Sequence, residues 1–425
     1  MNSAGAEEVR KPPIGDDEFK RTLGMDHDRC NGAYEVELPE TGELQRRFAA
    51  NYLEPGGGEY DVPSEALEAA NREMTLATPR IKQFLGDRRL VMVVPMRENG
   101  DVTRPLLSTV TKLMPSDCIT IVNHDSDDDA LQGVMRFSGV HLPYWKDLLD
   151  TIDWLRLLPI LNLTKRPEGF GKGLSVLAGY LHRYFLAQIH GAPQWLCQHD
   201  AEIQQYERYR ALEFLVWGLL ERPDAQYAKM AKFGRTNERC MLARTLLNVL
   251  AQSNALSDPI RQRCSDMFYR LVPDKWMLTG EFVMSWELAM TRPFASGYLE
   301  ETLTAMFAQD KSAQNGRTAI CVANPNSRLD AANDDGKEAK MQQEISAFVL
   351  RMALSAPPVD QWTVDTIADL NREVMSQPNM FGWIPSNDHS VVAEVLPANR
   401  IIPSIQMLVD GGFVDTKAGL QLVSA

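Results

Sequence analysis

Residues 169–203, GFGKGLSVLAGYLHRYFLAQIHGAPQWLCQHDAEI, decide the fold class. The stretch opens on a glycine-rich turn, Gly171-Lys172-Gly173. Apolar residues then recur at Leu174, Leu177, Ala178, Leu181, Phe185 and Ile189, a helical spacing. The apolar run Trp195-Leu196-Cys197 reads as a strand that leads straight into Asp200-Ala201-Glu202. Residues i and i+2 at the end of a strand point to one side, so Asp200 and Glu202 are expected to face one divalent cation together. Hard cations such as Mg²⁺ take oxygen ligands and keep positions open for substrate phosphates. A lysine between glycines approaches a phosphate without obstruction. Together these features predict a site that handles a nucleoside diphosphate. The competing reading is a surface turn followed by two solvated acids, which are common where a strand ends.

The 425 residues are enough for two domains, or for one large domain with extensions. A formal net charge of -13 makes the chain a poor non-specific ligand for a nucleic-acid backbone, and nucleic acid is not expected as a partner. The cysteines, Cys30, Cys118, Cys197, Cys240, Cys264 and Cys321, are scattered with no C-x-x-C pair, which argues against a zinc ribbon or a disulfide framework. The opening MNSAGAEEVRKPP has no apolar core and does not read as a signal peptide. No run of about 18 apolar residues occurs, so no membrane insertion is expected and the cytoplasm is the expected compartment.

Along the chain, residues 1–60 are polar and acidic and read as a leader that is partly disordered or draped over the surface. Residues 63–84 read as a helix with Ser64 as N-cap, which Pro79 is expected to break or kink. Residues 89–95 and 118–122 read as buried strands separated by a helix around 104–113. Their carboxyl ends run into polar loops, and ligands of open α/β sheets sit outside such ends. Residues 144–161 carry one amphipathic helical pattern whose Trp and Leu stripe reads as core. A helix over 206–220, a strand over 225–233 and a helix over 239–256 follow. Gly280-Glu281 is expected to open a helix that Arg292-Pro293-Phe294 breaks, with a second helix beginning at Glu300-Glu301. A strand over 318–323 runs into Asn324, and residues 336–425 read as largely helical. His199 is expected to point away from Asp200 along the strand, and His124 is read either as a nucleotide contact or as an exposed loop residue.

Three catalytic fingerprints fail. Gly171-Lys172 is followed by Gly173 and not by Ser or Thr, so the NTPase phosphate loop is absent. Leu174 stands where a dinucleotide fold needs its third glycine. Pro95-Met96-Arg97-Glu98 is not the glycine- and arginine-rich loop of a sugar nucleotidyltransferase.

Taken together, residues 89–330 resemble the nucleotide-sugar-dependent glycosyltransferases of the GT-A fold, nearest to the glucosyl- and mannosyl-3-phosphoglycerate synthases and mannosylglycerate synthase. The resemblance implies an α/β mixed sheet flanked by helices over residues 61–335, with a mostly helical extension over 336–425. Pro95 and Glu98 look like the loop that holds the nucleoside, and Asn123 and Ser126 like its second contact. Gly171-Lys172-Gly173 is similar to the family's Gly-Lys-Gly, with the lysine toward the diphosphate. Asp200-Ala201-Glu202 stands where the family has Asp-x-Asp, which implies Mg²⁺ or Mn²⁺ at Asp200 and Glu202. Thr279-Gly280-Glu281 looks like the family's Gly-Gly-Glu segment beside the sugar. The run from Pro293 to Tyr298 with Glu301 is the most specific match, and there the family's glutamate contacts sugar hydroxyls. The chain departs from the family at Asn324, which stands where the family has a metal-binding histidine; an amide-oxygen ligand to Mg²⁺ is one reading, and weaker metal binding or a different sugar chemistry are the others. Lys229 and Arg235 lie where the family grips the acceptor phosphate, against the competing reading of solvated basic residues on an edge strand.

The resemblance implies a retaining hexosyltransferase that uses a GDP- or UDP-linked hexose and 3-phosphoglycerate or glycerate. It also implies that Asp200, Lys172, Glu281 and Glu301 carry the site; a homodimer is common in the family, but no self-complementary patch can be read in the sequence. The competing readings are a transferase with another small or lipid acceptor, and a non-catalytic nucleotide-sugar binder. For Glu300 and Glu301 the plain alternative is that acids are favoured in the first turn of any helix.

Overall fold

The computed structural model describes residues 33–36, 64–97, 100–164, 166, 172–232, 247–254, 256–271, 280–296, 299–324, 329–330, 345–346, 348–350, 352–354, 361–376 and 401–424. The expected nucleoside, phosphate and acceptor residues Glu98, Gly171, Arg235 and Thr279 lie outside the described residues. So do most of the expected leader and parts of the expected helical stretches over 239–256 and 336–425.

A seven-stranded sheet organises the molecule, in the order β1-β9-β6-β7-β4-β2-β3. Its strands are β1 (Ala33–Val36), β2 (Leu90–Met96), β3 (Ile119–Asn123), β4 (Trp195–Gln198), β6 (Ala225–Lys232), β7 (Phe282–Ser285) and β9 (Thr318–Asn324). β7 runs antiparallel to both of its neighbours, and every other pairing is parallel. The carboxyl ends of six strands and the beginning of β7 therefore share one edge. β1 lies within the expected leader and adds an outer strand beside β9. Four two-residue strands stand outside this sheet in two small pairs: β5 (Ile203–Gln204) with β10 (Leu329–Asp330), and β8 (Phe294–Ala295) with β11 (Ile401–Ile402).

The helices, in chain order, begin with α1 (Ser64–Gly86), α2 (Gly100–Val110), α3 (Asp128–Met135), α4 (Trp145–Leu149), α5 (Trp154–Ile160) and α6 (Lys172–His190). Then come α7 (Tyr206–Tyr209), α8 (Ala211–Glu221), α9 (Asp258–Leu271), α10 (Trp286–Thr291) and α11 (Glu300–Gln314). The last are α12 (Val364–Ser376), α13 (Ile405–Asp410) and α14 (Thr416–Ser424). This is a mixed sheet flanked by α-helices, with helices prominent among the described C-terminal residues. No described helix is long and apolar enough to cross a membrane.

Side-chain alternation assigns the layers. Val93, Gln198, Phe282 and Lys229 lie in one cross-strand row, and the Tyr180 hydroxyl of α6 reaches Gln198 at 3.5 Å. Gly179 lets α6 lie against Val93 and Val122, because a Cβ there would overlap both side chains. α8 takes the other face, where Gly218 sits against Val322. With helices on both sides, β2, β3 and β4 carry apolar residues inward and outward, as sheets covered on both faces do.

The C-terminal residues close over this body. The Asn371 side chain both accepts from Ile401 N and donates to Ile401 O, each at 3.0 Å. Arg156 donates to the carbonyls of Gly411 (2.7 Å) and Gly412 (3.1 Å). α14 packs on α6, with Gly419 set against the ring of Phe185.

Four local expectations are corrected. α1 continues through Pro79 without the expected break; the carbonyl the proline leaves without its donor belongs to Thr75, which is exposed. The pattern over 144–161 forms two helices, since Asp153 caps α5 by accepting from Arg156 N at 3.1 Å. The helix over 206–220 is likewise divided at Arg210, whose φ of 53° is left-handed. Gly280-Glu281 introduces β7 before any helix, because Phe282, Val283 and Met284 are buried between β4 and β6; Ser285 then caps α10.

α6 also carries a histidine against the sheet. His182 is buried, its Nδ1 lies 3.1 Å from the Thr120 hydroxyl, and its ring meets that of His141 edge-on at 5.0 Å. Burial, reinforced by the Arg183 guanidinium, holds both imidazoles below their usual range, His141 at about 4. The unfolded chain therefore binds more protons than the folded one once the pH falls below the ordinary histidine value near 6.5. Stability should be full above that value and decline as pH falls toward about 4. Urea unfolding at a series of pH values checks this, and H182N should flatten the decline.

Candidate functional site

The site forms where α6 begins above the shared sheet edge. Lys172 is the first residue of α6, so its ammonium stands at the positive end of a 19-residue helix. Gly173 follows because the helix starts against β8: a Cβ there would strike the Ala295 carbonyl oxygen, a backbone atom that cannot swing aside. Beyond β4 the chain turns through Asp200, Ala201 and Glu202. Gln198 stands opposite Phe282 in the antiparallel β4–β7 pair. Two further residues along that register set Gly280 opposite Asp200. A side chain at Gly280 would occupy the space of the Asp200 carboxylate and the Lys172 amine.

Lys172 Nζ donates to Asp200 Oδ1 and, at 2.6 Å, to Glu301 Oε1. Glu301 comes from the first turn of α11. All three side chains are largely but not wholly covered. Burial alone would push the lysine's pKa down. The Asp200 and Glu301 carboxylates outweigh it and hold the ammonium above its usual range. One cation thus sits between two anions at the mouth of the sheet, with the first backbone N–H groups of α6 beside it, a setting suited to phosphate oxygens.

Beneath this cluster lies a second ion pair that the sequence reading did not identify. Arg292 and Glu300 meet at 2.5 Å and are almost completely buried. The guanidinium stacks over Phe294 (4.2 Å) and Tyr180 (4.5 Å). Glu300 Oε2 also accepts from Ala295 N at 2.9 Å. Burial pushes the Glu300 carboxyl up, and Arg292 opposes that shift. The pair ties the end of α10 to the start of α11, and so fixes both Glu301 and the Ala295 carbonyl that Gly173 rests against. The only sequence signal was two adjacent acids opening a helix.

The other expected residues occupy distinct places. Pro95 is half-buried in β2. Asn123 Oδ1 accepts from Ser126 N (2.9 Å), and the Ser126 hydroxyl donates to the Met96 carbonyl (3.2 Å), so the two shape their own loop at the sheet edge. Ala201 is buried and Glu202 half-buried in the turn after β4. Because Asp200 and Glu202 lie in that turn, strand alternation does not govern them. Glu281 is fully buried; its carboxylate adds to the upward push of burial on the Cys197 thiol and the Tyr206 phenol, which lie on the α8 face. Lys229 is buried in the Gln198 row of an interior strand, below the rim and not solvated on an edge. Asn324 is buried at the end of β9 and donates to the Tyr209 carbonyl at 2.6 Å. It lies three strand positions from β4, roughly 14 Å at ordinary strand spacing.

His199 points away from the cluster, its Nδ1 3.0 Å from the Tyr206 hydroxyl. His124 is buried, not exposed: it stacks on Trp145 at 4.2 Å and bonds the Ser175 hydroxyl one turn beyond Lys172. Beside it, the Tyr144 hydroxyl donates to Asp125 at 2.6 Å.

Among the described residues no group of three or more His, Cys, Asp or Glu is arranged to hold a metal ion by itself. Asp200 and Glu202 offer hard carboxylate oxygens from one turn. That donor set fits a cation which draws its remaining ligands from phosphate and water.

No protein-family model matches the chain, and no curated protein matches it. Among solved structures the chain is similar to glucosyl-3-phosphoglycerate synthase from Mycobacterium tuberculosis. The complex of that protein with Mn²⁺, UDP and phosphoglyceric acid superposes with a TM-score of 0.46 at 18% identity, over 66% of this chain and 83% of that one. Its complex with Mg²⁺ and UDP superposes with a TM-score of 0.46 at 18% identity, over 66% of this chain and 84% of that one.

Proposed function

We propose that the chain is a metal-dependent GT-A glycosyltransferase that moves a hexose, with retention, from a nucleoside-diphosphate sugar to a small anionic acceptor such as 3-phosphoglycerate or glycerate. One observation carries the reading: Lys172, Asp200 and Glu301, from three separate parts of the chain, gather around the side-chain-free Gly280 at the carboxyl edge of the sheet. Ligands of open α/β sheets sit at such edges.

Asp200 and Glu202 would hold Mg²⁺ or Mn²⁺, which supplies Lewis-acid stabilisation of a departing diphosphate. Lys172 and the N–H groups at the start of α6 stabilise the negative charge that grows on that diphosphate as the glycosidic bond breaks. Glu301 accepts from a donor-sugar hydroxyl and fixes the anomeric carbon for attack. Asn123 and Ser126 shape the loop that meets the nucleoside. Lys229 lends positive charge to the acceptor side from below the rim. The acceptor hydroxyl attacks on the face the diphosphate leaves, and a leaving phosphate oxygen takes its proton.

UDP-glucose and GDP-mannose, each with Mn²⁺ and with 3-phosphoglycerate or glycerate, form the test. The expected result is nucleoside diphosphate release that depends on both acceptor and metal, with an α-linked product by NMR. Binding of donor without turnover by any acceptor would overturn the enzyme reading in favour of a nucleotide-sugar-binding protein.

A further inference from the structure

Lys172 stands between the two acids on the edge where the cation is expected. Its ammonium already neutralises the Asp200 oxygen Oδ1 and holds Glu301. The Asp200 carboxylate and the Lys172 amine lie side by side in the space that a Cβ on Gly280 would enter. A divalent cation binding Asp200 would meet the ammonium at contact distance, where two positive charges repel strongly.

We propose that Lys172 is an exchangeable counter-ion: in the ligand-free protein it takes the place of the divalent cation on Asp200, and it is handed to the nucleoside diphosphate when the cation binds. This rests on the reading of the site given above. The exchange changes the partners of the ammonium from stage to stage. Without ligand, one ammonium serves two carboxylates. With metal and nucleotide bound, the cation serves Asp200 and Glu202, and the ammonium serves the diphosphate. Metal alone must evict Lys172 from Asp200, leaving it Glu301 and no new anion. Nucleotide alone must draw Lys172 off two carboxylates. Each ligand therefore binds weakly by itself and prepares the site for the other, a reciprocal coupling of the two affinities. A lysine suits this role because its flexible stem lets one point charge change partners, which a rigid guanidinium fork does less readily.

The test titrates Mn²⁺ alone, followed by the loss of its free-ion spin-resonance signal, into wild-type protein, Lys172→Met and Lys146→Met. Lys146 is an exposed lysine at the same sheet edge that pairs with Asp125 and serves as the control for general charge. Lys172→Met should bind Mn²⁺ about tenfold more tightly than wild type, well under the full repulsion of contacting unit charges at an effective permittivity of about 20. Lys146→Met should match wild type. Equal Mn²⁺ affinity in wild type and Lys172→Met, or an equal gain in Lys146→Met, would overturn the exchange. Wild-type protein supplies a second readout in case the variant does not fold. Acylation of Lys172 by an amine-directed reagent, read by peptide mass spectrometry, should rise with Mn²⁺ and fall again when UDP is added. Unchanged labelling on Mn²⁺ binding also overturns the proposal. The Mn²⁺ arms decide the exchange even if no nucleotide sugar is turned over, so its failure and that of the functional reading remain distinguishable.

Discussion

Arg292→Met should lower the free energy of unfolding by about 3–5 kcal/mol, the usual cost of leaving one partner of a buried ion pair without the other. Methionine keeps much of the side-chain volume, and its thioether packs acceptably against Phe294 and Tyr180. The loss would therefore come mainly from Glu300, which would keep its contact with Ala295 N but lose its ion-pair partner, while remaining about 1% exposed. Burial already pushes that carboxyl up, and without Arg292 it would rise further. A carboxyl whose folded pKa lies above its unfolded value favours folding at low pH and loses that contribution as pH rises through the folded value. The variant's deficit should thus be larger at pH 8 than at pH 5, and urea unfolding at both values measures it. Adding Glu300→Leu should recover part of the loss, since an apolar pair of similar volume often replaces a buried ion pair at little cost. A deficit that does not change with pH, or a double variant worse than Arg292→Met, would show that packing and not the orphaned carboxylate sets the cost.

Much of this frame was legible in the sequence because it depends on short-range regularities. The period of Leu174 to Ile189 could only be a helix. The apolar runs at 89–95 and 118–122 are consistent with strands covered on both faces, and the polar loops that follow them lie where open α/β sheets hold ligands. Asp200 beside Lys172 was legible for a related reason: one helix separates a glycine turn from the next strand, so the topology of an open sheet brings the two to one edge.

Other features depend on contacts that no local pattern encodes. Lys172 and Glu301 are 129 residues apart and meet only because α11 begins where it does. Glu300 and Glu301 are equivalent by any rule for helix termini, yet successive residues on a helix turn by about 100°. That rotation sends Glu300 inward to Arg292 and Glu301 outward to Lys172. The strand β7 was hidden because Phe282, Val283 and Met284 run directly into the helical pattern of Trp286 to Thr291. A short apolar run beside a helix carries no period of its own, and burial between β4 and β6 decides it.

Gly280→Ala should lower turnover by about 10²-fold, the loss expected when reacting groups are displaced by about 1 Å. The added methyl would lie where the Asp200 carboxylate and the Lys172 amine now sit, so both must move. These are the ends of flexible side chains, unlike the Ala295 backbone that faces Gly173, and they can yield without rebuilding the sheet. Stability should therefore change by less than about 1 kcal/mol, within the range of substitutions that break no buried pair. Asp200→Ala removes the same carboxylate outright and should match Gly280→Ala in turnover and in lost Mn²⁺ affinity. The two changes act on one group by different routes, so their effects should not add: the double variant should be no slower than either alone. Turnover with the responsive donor and acceptor, together with thermal denaturation of all three variants, checks this. Full activity in Gly280→Ala would mean that the carboxylate and the lysine work from positions other than those they share here. Unfolding of that variant would mean that Gly280 serves the strand and not the site.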